Sequence, residues 1–420
     1  MKNNSVIMYL SQLVLNLTNK LTQKRENTVL FIPHPNCCAD HYDVINYHSD
    51  NVLCLLNYML RQPQFDGYEF TVIAYDKAKK EQYEEYCHEL NSSIKVHFAF
   101  NTNPKNGWEY YHLSDYIIKN TYIFTADTFY QIPFVNKEQV ICCLGYFTPF
   151  KNDYININED EYNHEWVKNN RTYRYHITTS MLASQILCTN KGLHFSRFKA
   201  LGFPRNDIFY QTQPEVKKSL SLEPGKNIEQ LILYTPTFRD YENNLSEASH
   251  NLFGFESQEQ DLNRIDALLE ENNGILIVKL HPLQNKDVFS QNKFKRVLLY
   301  EESVGKRFNL YQVLADSDCL ITDYTSTYFD YLHCDKPVIF NFYDKERYMA
   351  VRGFSFDPIE SVCAGDIVTC AEEMLEALHK VFAGKDNYRK ERKQIHTMIN
   401  KFHDGCSAER ICNLIFSDNH

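Results

Sequence analysis

Short apolar runs, each closed by a polar loop and followed by a stretch with helical spacing, constrain this chain more than any other feature. A run apolar on every residue is buried on both faces, and strands of that kind belong to parallel sheets covered by helices. The first series of such runs is Thr28–Ile32, Phe70–Ala74, Ile94–Phe100, Thr121–Thr125 and Val140–Leu144, with Phe198–Leu201 further on. The second is Leu231–Tyr234, Ile275–Leu280, Arg296–Tyr300, Cys319–Ile321 and Val338–Asn341, with helices expected over 257–272, 309–316, 325–334, 370–383 and 406–416. This alternation predicts an α/β fold of two Rossmann-like, doubly wound domains facing a central cleft, with ligand loops at the C-terminal ends of the strands. A length of 420 residues also exceeds one ordinary core. The Pro- and Gly-containing stretch 211–229 reads as the connection. An N-terminal domain is therefore expected over 1–212, a C-terminal one over 213–400, and a closing helix over 401–420 that packs back on the first domain.

The strand-end loops of the second series are rich in groups that handle phosphate. Cys319–Ile321 runs into Asp323, Tyr324, Thr325, Ser326 and Thr327, a hydroxyl-dense turn that opens a helix. A helix N-terminus offers unpaired N–H groups and the positive end of a dipole. Asp323 fits either a ligand contact or the cap of that helix, and Asp330 suits ribose hydroxyls. Thr237 and Arg239 follow the first strand of this series, and Arg239 fits either a forked phosphate contact or a structural ion pair. Lys279 and His281 close the second strand on one side, because side chains alternate along a strand. Arg352 brings a second guanidinium, beside Gly353, where the backbone can approach a ligand closely. His281, Arg239 and Arg352 with three hydroxyls suit a diphosphate rather than a metal, and no Walker loop is present.

Composition excludes several classes. A net charge of −10 argues against a nucleic-acid partner. Thirteen cysteines, many inside apolar runs and without zinc-ribbon spacing, fit reduced thiols in a reducing cytosol. The N-terminal apolar residues are interrupted by Ser11, Gln12, Asn16 and Asn19, so they read as no signal peptide or spanning segment. Leu10, Leu13, Val14, Leu17 and Leu21 share one helical face that ends in Lys20, Lys24 and Arg25. That face fits a helix packed on the domain or a peripheral membrane-binding helix.

The strings TPTFRD, KLHP, LITDYTSTYFDYL, KPVIFNFYD and VRGF, with GFPRND at 202–207 and FHDG at 402–405, resemble the CDP-glycerol glycerophosphotransferase family of teichoic acid and capsule synthesis over about residues 120–415. The resemblance implies a GT-B fold with the donor in the C-terminal domain. It also implies transfer of glycerol phosphate, or a related polyol phosphate such as ribitol phosphate, from a CDP-linked donor to a hydroxyl acceptor (a glycan, lipid-linked or polymer acceptor), with release of CMP. No tightly bound cofactor or metal is implied. The enzyme would be cytoplasmic, at the inner face of the cell membrane if it makes peripheral contact. The donor set carried over is Thr237, Arg239, Lys279, Asp323, Thr325, Ser326, Thr327, Asp330 and Arg352, with His281 as an acid.

One departure stands on the acceptor side. The family has a His in the loop after an N-domain strand, where this chain has Tyr146, followed by the retained Thr148 and Lys151. A neutral Tyr is a poor base. His41 paired with Asp40, near His34 in the loop after the first strand, offers a substitute. His34, Cys37, Cys38 and His41 match no common zinc spacing. Arg205 completes the expected acceptor side. Two other functions stay open at this point: a GT-B glycosyltransferase using a nucleotide sugar, and an inactive partner subunit that binds nucleotide or polymer.

Overall fold

The computed structural model describes residues 13–33, 50–74, 80–100, 109–126, 136–145, 148–152, 171–212, 215–220, 227–237, 239, 253–280, 288–289, 293–305 and 307–417. His34, Asp40, His41, Tyr146 and His281 lie outside them.

The described strands form two all-parallel sheets. The first holds β1 (Thr28–Ile32), β2 (Glu69–Ala74), β3 (Lys95–Phe100), β4 (Tyr122–Thr125), β5 (Val140–Cys143), β6 (Tyr175–Thr178) and β7 (Phe198–Ala200) in the order β3-β2-β1-β4-β5-β6-β7. The second holds β8 (Gln230–Thr235), β9 (Gly274–Val278), β10 (Val297–Leu299), β11 (Cys319–Thr322), β12 (Val338–Asn341) and β13 (Asp366–Val368) in the order β10-β9-β8-β11-β12-β13. Each sheet grows outward from its first strand and then reverses, at β1/β4 and at β8/β11. These reversals are where doubly wound sheets open a crevice at their carboxyl ends. The expected α/β class is the observed one.

Full burial of both faces explains the continuous apolar runs. In β1, Val29 and Phe31 enter one core, shared with Phe70, Phe124 and Ile411, while Leu30 and Ile32 enter another with Ile73 and Ile123. In the second sheet, Ile232, Tyr234, Leu276, Val278 and Ile321 share a core with Leu262, Ile265 and Met374. Two strands escape the apolar-run criterion. β6 carries buried His176 and Thr178, and β13 is a three-residue edge strand with Asp366 and a part-exposed Ile367.

The chain crosses between two compact units more than once. The first comprises 1–146, 158–207 and 404–420, and the second 147–157 and 208–403. The closing helix Ser407–Phe416 belongs to the first unit, where Ile411 and Ile415 are buried and Phe416 sits 4.6 Å from Tyr122 and 5.0 Å from Phe65, ring to ring. The GFPRND segment holds this helix in place. Asp207 accepts from the backbone N–H groups of Ser407 at 2.9 Å and Ala408 at 3.0 Å, satisfying two donors of the first turn. Gly202 has φ +87°, and a Cβ there would lie 2.5 Å from the Ser407 hydroxyl. Arg205 is turned inward beside the Phe203 ring at 5.1 Å, and its backbone N–H donates to Asn51 Oδ1. It therefore sits in the interior of the first unit and is not displayed to an acceptor.

Within the second unit, His333, His396 and His403 form a cluster. His396 Nε2 lies 3.1 Å from His333 Nδ1, the Tyr210 hydroxyl lies 2.8 Å from the same nitrogen, and the His396 and His403 rings stack at 3.9 Å. Burial, then the His403 charge, lowers the His396 pKa to about 3, against a weaker upward pull from Asp335. Burial and its two His neighbours also lower His333. A folded pKa below the unfolded value means that the unfolded chain binds more protons between the two, so stability is full above about pH 6.5 and falls as pH drops toward 3. One such His costs about 2 kcal/mol of stability by pH 5. Thermal melts from pH 7 to 5 should therefore shift downward, and His396→Phe should flatten that slope. An unchanged slope in the variant would remove the cluster as its source.

Candidate donor site at the strand ends of the second sheet

The site is built where the second sheet reverses. β8 exits through Thr235 and Pro236 to Thr237, and β11 exits to Asp323 beside it. Asp323 is fully buried. Its carboxylate accepts from the Thr237 backbone N–H at 2.9 Å and from the Thr237 hydroxyl at 2.6 Å, so it ties the two strand ends together. It also accepts from Arg239 Nη1 at 2.8 Å. A buried carboxylate is stable only when paired and hydrogen-bonded, and Asp323 meets both conditions.

Arg239 extends the clamp to a third strand. Its Nε and Nη2 fork onto Asp344, just past β12, at 2.7 and 3.0 Å, and Nη1 also donates to the Thr237 carbonyl at 2.6 Å. The guanidinium lies 5.1 to 5.5 Å from the ring centres of Tyr324, Tyr343 and Tyr348. Burial alone would lower its pKa, but Asp323, Tyr343 and Asp344 together hold it above the ordinary value. Tyr324 donates to Asp344 Oδ1 at 3.0 Å and stacks on Tyr348. Burial first, and then the charges of Asp344 and Asp323, push its phenol pKa up, so it stays a protonated donor. Of the two sequence readings of Arg239, the structural ion pair is the one seen.

The hydroxyls of the opening loop differ from this buried base. Thr325, Ser326 and Thr327, which follow the buried Tyr324 in sequence, are half-buried, and Thr325 Oγ1 lies 3.2 Å from Thr327 Oγ1. The helix they open is shorter than the spacing predicts: Thr327–Tyr331 is α-helical and Leu332–Cys334 is a 3₁₀ turn. Asp335, at φ +49°, ends it before Lys336 and Pro337. One α-turn carries little dipole, so the hydroxyls and backbone N–H groups dominate. Asp323 is not the cap of this helix either, since that position is Ser326.

Other expected donor residues are placed differently. Asp330 faces the interior, almost fully buried, and accepts from the Tyr311 hydroxyl at 2.6 Å, a position that does not suit ribose recognition. Lys279 lies just past β9, and its ammonium donates to Glu301 at 2.8 Å and to the Leu280 carbonyl at 2.9 Å. Arg352 is half-buried at the end of the helix Lys345–Val351. Gly353 follows at φ +68°, where a Cβ would lie 2.6 Å from Asn152 Nδ2.

Thr148 and Lys151 were expected on the acceptor side of the first domain. The structure instead places 147–157 in the second unit. Lys151 forms an antiparallel bridge with Phe354, Asn152 N–H donates to the Gly353 carbonyl at 3.2 Å, and Phe150 packs edge-on against Phe329 at 4.9 Å. Lys151 and Arg352 thus belong to one loop pair. Sequence reasoning missed Asp344 and Glu301, the partners of Arg239 and Lys279. Each follows a strand adjacent in the sheet to its partner's own or next neighbour, and strand order is the signal that would have found them. Among the described residues, no group of three or more His, Cys, Asp or Glu is placed to hold a metal ion. Within those residues no helix is long and apolar enough to cross a membrane.

The sequence matches the model of the CDP-glycerol:poly(glycerophosphate) glycerophosphotransferase family over residues 46–417. Among curated relatives, a teichoic acid glycerol-phosphate primase of Bacillus subtilis is 30% identical over 247 residues, 58% of each chain. The teichoic acid ribitol-phosphate polymerase TarL of Staphylococcus aureus is 28% identical over 224 residues, 51% of this chain and 36% of that one. A teichoic acid glycerol-phosphate transferase of Staphylococcus aureus is 26% identical over 268 residues, 62% and 64% of the two chains. The match thus spans less than two thirds of the length of these relatives. In fold, the chain is similar to the wall teichoic acid polymerase TagF, with a TM-score of 0.73 at 17% identity over 97% of this chain and 92% of that one. With the family model matched across most of its length, this chain belongs to the CDP-glycerol:poly(glycerophosphate) glycerophosphotransferase family.

Proposed function

We propose that this chain transfers glycerol phosphate, or a related polyol phosphate such as ribitol phosphate, from a CDP-linked donor to a hydroxyl acceptor in teichoic acid or capsule synthesis. The observation that carries this reading is the clamp of Asp323, Arg239 and Asp344, which fixes three strand ends at the start of the loop that carries the half-buried hydroxyls of Thr325, Ser326 and Thr327. The acceptor oxygen forms a bond to the phosphorus that carries the polyol. The bond from that phosphorus to the CMP oxygen breaks, and CMP leaves with the electron pair. The acceptor proton passes to a base. Catalysis of such a step is positioning plus stabilisation of charge on the phosphoryl oxygens.

In this reading the hydroxyls and backbone N–H groups of 325–327 hold the diphosphate, and Arg352 and Lys151 supply cations from their shared loop pair. Arg239, Asp323 and Asp344 act as positioning residues, through the loops they tie. His281 is assigned to the departing phosphate as an acid. His41, oriented by Asp40, is assigned as the base, with Tyr146 and His34 lining the acceptor. The reaction as written needs no bound cofactor, and the enzyme would work at the cytoplasmic face of the membrane.

The test is CMP release from CDP-glycerol and CDP-ribitol, beside a panel of nucleotide sugars. Turnover of a CDP-polyol is expected. His281→Ala should lower it about 10²- to 10⁴-fold, the range for a general acid, while Tyr146→Phe leaves it near wild type. Inertness to both CDP-polyols together with turnover of a nucleotide sugar would establish a glycosyltransferase instead. Nucleotide binding without turnover of any donor would establish an inactive partner subunit.

A further inference from the structure

Between Glu165 and Asp207 the sequence carries seven Lys or Arg residues and no Asp or Glu, in a chain of net charge −10. Such a block inside an acidic protein makes a local positive field. Lys191 and Arg205 are buried, and Lys168 lies outside the described residues. The other four gather at the β6–β7 margin of the first sheet, with Arg171 and Arg174 exposed and Arg197 and Lys199 half-buried. Register brings two of them to one ring. Ile177 of β6 pairs with Lys199 of β7, so Lys199 shares a face with Tyr175, two residues back along β6. Arg174 Cζ lies 5.6 Å and Lys199 Nζ 5.5 Å from the centre of the Tyr175 ring. The two charges are therefore at most about 11 Å apart, near the Debye length of ~10 Å in 0.1 M salt. Arg197 donates to the Tyr173 carbonyl at 2.5 Å, which holds its guanidinium against the chain leading into β6.

Among the described residues, no carboxylate forms an ion pair with any of the four. Lys137 and Glu138, which precede the neighbouring β5, are both exposed and cancel in charge. An aromatic ring attracts a cation but carries no net charge, so the cluster stays positive. Guanidinium groups in this setting suit phosphates, which they grip by paired hydrogen bonds. Nucleic acids would further require open ring faces on which bases stack, whereas Tyr175 is half-buried and taken by cations. Phe195, 37% exposed, is one ring and not the apolar stripe that enters a bilayer. Arg174 and Arg197 immediately precede β6 and β7, at the opposite end of this parallel sheet from its carboxyl-end loops. A ligand held here extends away from those loops. We propose that the β6–β7 margin is an exosite for a chain of phosphodiesters, the polyol-phosphate polymer that such an enzyme extends, held by Arg171, Arg174, Arg197 and Lys199. The identity of the polymer rests on the reaction proposed above, while the surface belongs to the first unit alone.

The experiment measures binding of the full chain to labelled poly(glycerol phosphate) over a series of salt concentrations. Log K should fall against log salt with a slope of about −3, the single-strand value for four phosphate contacts. Combining Arg171→Gln, Arg174→Gln and Lys199→Gln should weaken binding about tenfold or more and flatten the slope by about one for each cation removed. Arg171→Gln with Arg174→Gln, both at exposed positions, should act in the same direction without lowering the melting temperature. Arg174→Lys with Lys199→Arg keeps the charge and should bind as wild type does. In turnover, the triple variant should raise KM for a long acceptor and leave kcat, and KM for a single-unit acceptor, unchanged. Absence of binding by the wild type, or equal affinity in the triple variant, would overturn the proposal. So would RNA of equal phosphate number bound as tightly, which would make the partner a nucleic acid. Phosphatidylglycerol vesicles bound in place of the polymer would likewise replace it with a membrane. A chain that binds the polymer through these residues yet turns over no CDP-polyol would uphold the exosite and refute the reaction instead.

Discussion

Asp323→Asn is expected to cost about 3–5 kcal/mol of folding stability, the range for breaking a buried charge pair on one side. The Asn carbonyl can still accept from Thr237, but its amide turns a donor toward Arg239 Nη1, now 2.8 Å from a group that cannot accept. The guanidinium keeps Asp344 and remains buried with half of its counter-charge gone. Activity should fall further than stability implies. Asp323 sits directly before the hydroxyl loop, and misplacing a binding loop by about 1 Å can cost on the order of a hundredfold in rate. The check is urea unfolding beside donor turnover, with Arg239→Met and the double variant completing a cycle. Coupling of about 0.5–3 kcal/mol between the two sites is expected. A variant within about 0.5 kcal/mol of wild type would show that the clamp does not hold the strand ends.

A chain ending at residue 403 should fail to complete its first unit. Ile411 and Ile415 are buried, and Phe416 packs among Phe65, Tyr68, Tyr122 and Phe124. At about 1.5–3 kcal/mol for each large apolar side chain buried, loss of these three removes up to about 9 kcal/mol. That equals much of the 5–15 kcal/mol that holds an ordinary domain together. Hydrogen exchange should show β1 and β4 unprotected in the truncated chain and protected in the full one. Native protection of those strands in the truncated chain would refute the account. Asp207→Ala, which uncaps the same helix, should be a milder version at about 1–2 kcal/mol.

Both sheets were legible because parallel strands buried on both faces read as nearly continuous apolar runs, and β1, β8, β9 and β11 do. The loops that matter were legible as well, since Thr237, Asp323 and the 325–327 hydroxyls all fall at strand ends. Pairing was not. Arg239 and Asp344 stand 105 residues apart, and nothing local in either segment names the other. Once strand order is known, the contact between the ends of β8, β11 and β12 follows. The inward turn of Asp330 and Arg205 was hidden for a related reason. A charged residue in a motif reads as a ligand group until its burial is known, and burial is set by distant segments such as Tyr311 and Asn51. Which way the leucines of helix 13–21 face stayed open in the sequence, because periodicity locates an apolar face without saying whether the core or the surroundings receive it; the structure leaves Leu13, Val14, Leu17 and Leu21 exposed.

The return of the closing helix to the first unit has a consequence for synthesis. Translation delivers β1 to β7 first, yet their outer layer lacks Ile411, Ile415 and Phe416 until the whole second sheet has been made. The second sheet, whose strands all lie between residues 230 and 368, has every piece it needs earlier. The domain made first is therefore finished last. Throughout that interval Phe65, Tyr122 and their neighbours form an open apolar seat, which makes the nascent first unit a natural client for holding factors until its final helix arrives.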